Sequence, residues 1–152
     1  MPYQITSNKA AFLASTRKIE IGLVRYAARV AVGHVNRLMR DSVPTGRIYR
    51  SRTGTGYHQA SAPGEPPAVD TKELVNSIAA DVQETATGAE AVVGSNAYDK
   101  PVWRWLEFGT RRILPRPSAR PAFFVAMEKI REAISAGNRG GVVEGTFGPE
   151  VR

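Results

Sequence analysis

Groups able to do covalent or acid–base chemistry are scarce in this sequence. It has no cysteine and two histidines, His34 and His58, which excludes disulfides, thiolate metal sites and a cysteine nucleophile. No HExxH or Walker A pattern occurs, so neither metal-assisted hydrolysis nor nucleotide cleavage has visible machinery. Gly54-Thr55-Gly56 starts like a dinucleotide fingerprint, but position 59 is Gln and the surroundings do not read as strand, turn and helix. Glu65, Glu73 and Glu107 read as single acids with structural explanations: a turn, a helix cap and a helix surface. His34 lies beside an apolar stripe, where a packed or surface histidine is the plain reading. No catalytic residue, metal ligand or cofactor is expected, and the chain does not read as an enzyme.

Arginine is what the sequence concentrates instead. The loop 110–121 holds Arg111, Arg112, Arg116 and Arg120 among Pro115, Pro117 and Pro121. Prolines at that density fix φ and remove donors, so the loop is a stiff arm and not a central strand. Ordering a stiff arm against a partner costs less entropy than ordering a flexible one. Glu107 is the only acid close by in sequence, so an acidic group from outside is the expected partner, carboxylates of a neighbouring subunit in preference to DNA phosphate. A second cluster, Arg47, Tyr49, Arg50, Arg52 and Tyr57, lies in the Pro/Gly-punctuated stretch 41–70. Arginine interleaved with tyrosine suits a nucleic-acid surface; an arm used for subunit contact explains the same residues and is preferred. Trp103 and Trp105, two apart on a helix, face about 200° apart. One therefore joins the core, and the other, assigned to Trp105, is an interface anchor.

The elements that position these residues follow from spacing. Residues 9–40 read as one amphipathic helix with a buried stripe of Ile19, Leu23, Tyr26 and Val30, extended by Leu38. Gly22 and Gly33 weaken it or allow close packing. The stretch 41–70 is an extended arm whose middle pairs 47–52 with 56–60 around Thr53-Gly54-Thr55. Asp70 to Ile78 forms a short helix with Asp70 and Glu73 in capping-box spacing and Leu74 and Ile78 buried. Residues 79–85 and 89–94 make a hairpin around Thr87-Gly88, with Ala80, Val82, Ala91 and Val93 on the half-buried face. A helix opening at Asp99-Lys100-Pro101 ends at Gly109. The last helix, 119–136, carries Phe123, Met127, Ile130 and Ile134 as its core stripe. Gly64 and Gly109 stand where a turn and a helix end call for positive φ. The fold class is α+β: a long N-terminal helix and a C-terminal helix packed on a small antiparallel sheet. Residues 1–136 form one domain, and 137–152 a flexible glycine-rich tail.

Overall composition agrees with a folded domain that meets other macromolecules. The chain has 152 residues, 42% of them hydrophobic, and a net charge of +7, which calls for an acidic partner. It has no run of about 18 apolar residues, so no membrane span is expected, and its first residues lack the pattern of a secretory signal.

Four segments together are similar to one family. They are SAPGEPPAVDTKELVNSI at 61–78, Val-Gly-Ser at 93–95, WLEFGTRR at 105–112 and RPSARPAFF at 116–124. Their order resembles the small neck, or tail-completion, proteins of long-tailed bacteriophages, the gene-product-ten family of lambda-like phages. Two positions depart from that pattern: Lys72 stands where a glycine is usual, and Ser118-Ala119 replace a bulky apolar pair. The resemblance implies a structural virion protein without catalysis, forming a ring between the DNA-filled head and the tail. It implies a homo-oligomer, hexameric or else dodecameric, beside head-closure or connector and tail-terminator or tail-tube proteins, with double-stranded DNA passing through the lumen. Localisation is then the virion, and the host cytoplasm during assembly. The alternative is a basic nucleic-acid-binding protein using the 47–58 and 111–120 surfaces.

Overall fold

The computed structural model describes residues 9–50, 56–95 and 101–136. Helix α1 spans Lys9–Asp41, and strands β1 (Ile48–Arg50) and β2 (Tyr57–Gln59) follow. The short α2 (Glu73–Ser77) leads directly into β3 (Ile78–Thr85) and β4 (Gly88–Ser95), and α3 (Val102–Phe108) and α4 (Ala119–Ser135) close the order. This is the expected α+β arrangement. Both sheets are two-stranded and antiparallel, with Ile48 opposite Gln59 in one and Ile78 opposite Ser95 in the other. Helix α1 packs against α4 and against the β3–β4 sheet.

The core lies where those elements meet. Val35, Met39, Val75, Ile78 and Ala122 form a buried cluster, with Val32, Val69, Leu74, Val93 and Trp103 packed around it. The expected stripes sit at the rim of this core. Ile19, Leu23, Tyr26, Val30 and Leu38 are half-buried, whereas Ala28, Val35 and Met39 are fully buried. On α4 the difference is one residue: Ala122 and Ala126 are buried, while Phe123 is 59% and Ile134 42% exposed. Alanines four apart lie on one helix face and let two backbones approach closely, so the small residues take the contact. Gly22 is buried, and Gly33 is exposed.

Two boundaries moved for local reasons. Helix α2 begins at Glu73, later than the capping-box spacing suggested, and its N-cap is Lys72 at φ 63°, without a side-chain cap. Its buried residue is Val75, with Leu74 half-buried and Ile78 already in β3. Lys72 is the only non-glycine with positive φ among the described residues. A glycine would suit that backbone better, since a Cβ crowds the left-handed region. Gly64 (φ 88°) and Gly109 (φ 77°) both adopt the positive φ that their positions called for. Arg52, the Thr53-Gly54-Thr55 turn, the Asp99-Lys100 helix start and the 137–152 tail lie outside the described residues.

Candidate functional site: an arginine loop and its cleft

The loop between α3 and α4 is held by a carboxylate that the sequence placed on a helix surface. Glu107 is 4% exposed. Its Oε2 accepts the backbone N–H groups of Ser118 (2.7 Å) and Ala119 (2.9 Å), and its Oε1 that of Arg120 (3.1 Å). The first N–H groups of a helix have no intrahelical acceptor, so Glu107 serves as the cap of α4 from another helix. The side chain of Ser118, the N-cap residue, is engaged elsewhere: its Oγ accepts the Trp103 indole N–H at 2.9 Å. That hydrogen bond and its packing make Trp103 the core tryptophan; Trp105 is half-buried. Glu107 reads as a surface acid in sequence because α3 is short and the N–H groups it meets lie eleven to thirteen residues later.

The four loop arginines divide into two pairs. Arg116 is 8% exposed, and its Nε donates to the Ser61 carbonyl at 2.9 Å. Its placement corrects the expectation of a solvent-facing contact residue: it ties the loop to the segment after β2. Arg120 donates to Glu107 Oε1 at 3.3 Å and to the Glu107 carbonyl at 3.2 Å, and its guanidinium lies 5.3 Å from the Phe108 ring centroid. The acidic partner of Arg120 is thus within the chain. Arg111 and Arg112 are exposed. Backbone contacts complete the fastening: Gly64 N–H to Pro115 O at 2.8 Å, Arg116 N–H to Leu106 O at 2.6 Å and Thr110 N–H to Ile113 O at 2.7 Å. At Gly109 a Cβ would lie 2.8 Å from the Ile113 carbonyl oxygen, so packing as well as φ demands glycine.

The second arginine cluster faces the same space. Arg47, Tyr49, His58, Arg112 and Arg116 line one cleft of about 1000 Å³, whose apolar wall includes Leu74, Leu106 and Ile113. Arg47 stacks 5.6 Å from the Tyr49 ring centroid, and His58 Nδ1 lies 3.9 Å from Asp70. Arg50 and Tyr57 are exposed on the hairpin, Tyr57 at 83%. Gly46 and Glu65 set the base of that hairpin. The Gly46 N–H bonds to Ala60 O at 2.7 Å, and a Cβ at Gly46 would collide with the Ser61 carbonyl. Hydrogen bonds from Thr45 Oγ1 and then the Ala62 N–H hold the Glu65 carboxyl below its usual range. Glu65 is therefore a turn acid, as its place in Pro-Gly-Glu-Pro suggested. Sequence reasoning missed Gly46, although a glycine before an Arg/Tyr strand was a visible signal. No cluster of potential metal ligands occurs among the described residues.

A third feature is aromatic. Phe108, Phe123 and Phe124 are 65%, 59% and 67% exposed, and the last two meet edge to face with centroids 6.2 Å apart. Exposed aromatic clusters beside arginine are the composition of interface centres.

The segments that suggested a family are therefore one structural unit. Ser61 and Gly64 hold Pro115 and Arg116, while Leu106 and Glu107 hold Arg116 and the start of α4. Residues 23–109, more than half the chain, match the model of the HK97-gp10-like family, described as "Bacteriophage HK97-gp10, putative tail-component". The chain belongs to the HK97-gp10-like family. The match ends at Gly109, so the loop arginines 111–120 lie beyond it, fastened to the matched segment by the bonds just given. No curated protein and no solved structure is similar enough to the chain to count as a match. As a member of a phage tail-component family, the chain belongs with virion structural proteins and meets other virion proteins. No helix among the described residues is long and apolar enough to cross a membrane.

Proposed function

We propose that this chain is a non-catalytic ring protein of the phage neck, joining the DNA-filled head to the tail and completing tail assembly. The observation that carries the reading is the exposed Arg112, Arg47 and Tyr49 around one cleft, with exposed Arg111 next to Arg112 in the loop, on a chain of the tail-component family. The loop bearing Arg111 and Arg112 is fixed at both ends by backbone and side-chain hydrogen bonds, so binding costs little further ordering. The ring is a homo-oligomer, six copies or else twelve. It lies between a head-closure or connector protein and a tail-terminator or tail-tube protein, with DNA passing through its lumen. Assembly takes place in the host cytoplasm. Particles made without this protein test the reading: free heads beside free tails support it, and joined, infectious particles refute it.

The exposed Tyr57, Arg47 and Arg50 also favour a second reading, direct binding of nucleic acid. A binder making six or more phosphate contacts loses about 10³-fold in affinity between 50 and 200 mM salt. A lumen through which DNA slides shows no such tight, salt-sensitive grip.

A further inference from the structure

The structure separates charge in a way the net value hides. The β3–β4 segment, residues 78–95, contains Asp81, Glu84 and Glu90 and no lysine or arginine, in a chain of net charge +7. The strand register places Asp81 opposite Val92 and Gln83 opposite Glu90, so these four residues share one face. The other face carries Val93, which packs on the core, so the acidic face points outward. Asp81, Gln83, Glu90 and Val92 are all exposed, Val92 at 60%. Gln83 Nε2 donates to Asp81 Oδ2 at 2.7 Å and steadies that carboxylate. An apolar residue flanked by carboxylates thus lies exposed on the outer side of the sheet.

The cleft is its counterpart. Exposed Arg47 and Arg112 stand at its edge over Leu74 and Ile113, and the loop 109–118 contains three arginines and no acid. No residue of β3 or β4 lines the chain's own cleft. We infer that the two faces meet between copies: the outer face of β3–β4 on one copy docks at the Arg47–Arg112 edge of the cleft on the next. Asp81 and Glu90 then receive the guanidinium groups, whose planar donors match a carboxylate two at a time, and Val92 meets the apolar wall. Such a contact joins two different patches, so it is head-to-tail, and repetition closes a ring when the rotation divides the circle. This inference rests on the ring reading above and specifies which surfaces make the ring.

Charge reversal tests it. One variant carries Asp81→Lys and Glu90→Lys, a second Arg47→Glu and Arg112→Glu, and a third all four changes. Sedimentation velocity reads assembly, and circular dichroism with thermal melting reads folding. All the altered side chains are exposed, so the variants are expected to melt like the wild type. Each two-residue variant alone should self-associate at least about tenfold more weakly than the wild type. The four-residue variant should recover assembly, as should a 1:1 mixture of the two weak ones, because alternating copies restore every contact in an even-numbered ring. Wild-type assembly with unchanged assembly of either reversed variant overturns this contact and leaves the ring standing. Folded, weakened variants that neither the mixture nor the combined changes rescue also overturn it. A wild-type chain that stays monomeric at millimolar concentration refutes the ring reading, and this contact with it.

Discussion

The loop 109–118 and the β1–β2 hairpin are both written in arginine and turn formers, yet their fates differ. In and beside the loop, Arg116 is buried against Ser61 O and the half-exposed Arg120 is paired with Glu107, while Arg111 and Arg112 are exposed. In the hairpin, Tyr49, Arg50 and Tyr57 are exposed on two strands of three residues each, and Arg47, just before the first strand, is exposed as well. An isolated two-stranded hairpin is marginal in water, so this one depends on its base, where Gly46 closes on Ala60. The lesson is that arginine density alone does not mark an interface. A guanidinium that finds a buried carbonyl or carboxylate becomes structure, and one that does not stays available to a partner.

The largest effect should come from the acid that organises the loop. Glu107→Ala leaves three N–H groups of the first turn of α4 without their acceptor and Arg120 without its carboxylate. A lost cap costs about 1 kcal/mol and each stranded buried donor about 1–3 kcal/mol, so a total of about 3 kcal/mol is expected in urea denaturation. Glu107→Gln, which keeps one acceptor oxygen, should lose about half of that. A change below 0.5 kcal/mol for the alanine variant would show that the loop does not depend on this cap.

Gly109→Val comes next. Positive φ and a Cβ 2.8 Å from Ile113 O act together there, whereas Gly64 has the φ but open space around it. Strain of this kind costs about 1–3 kcal/mol, with Gly109 at the upper end and Gly64 at the lower. Equal melting temperatures for the two valine variants would contradict the role given to the Gly109 contact.

The division among the arginines gives a smaller, sharper contrast. Arg116→Ala should cost about 1–2 kcal/mol through the stranded Ser61 carbonyl and lost packing. Arg112→Ala should change stability by less than about 0.5 kcal/mol. Reversal of that order in chemical denaturation would mean that the buried and exposed members have been misassigned. Smallest of all, Lys72→Gly should stabilise the chain by about 0.5 kcal/mol. It relieves left-handed strain of about 1–2 kcal/mol at the α2 start, less the entropy glycine adds to the unfolded chain.

Much of the architecture was legible in the sequence, and the reasons are specific. The hairpin 78–95 was readable because its alternation has a period of two and Thr87-Gly88 interrupts it; β3 begins one residue earlier than expected, and β4 runs one residue further at each end. Helix α4 was placed correctly at Ala119, yet its buried face was not. Spacing rules favour large residues such as Phe123, while close packing against α1 selected Ala122 and Ala126. The arginine loop was visible as a unit, but its internal division was not. The acceptors are a backbone carbonyl at Ser61 and a carboxylate on another helix, and neither has a local signature. The convergence of Arg47 and Arg112 on one cleft depends on contacts 55 residues apart in sequence, beyond the reach of any periodicity.

Sedimentation velocity of the purified chain beside Arg111→Glu/Arg112→Glu tests the central claim most directly. That claim is that the exposed half of the loop makes the assembly contact. The account predicts that the wild type forms a discrete species of six or twelve copies. The double variant should stay monomeric with an unchanged circular dichroism spectrum and melting temperature. A double variant that forms the same closed species at the same concentration would show that the arginine loop is not the interface.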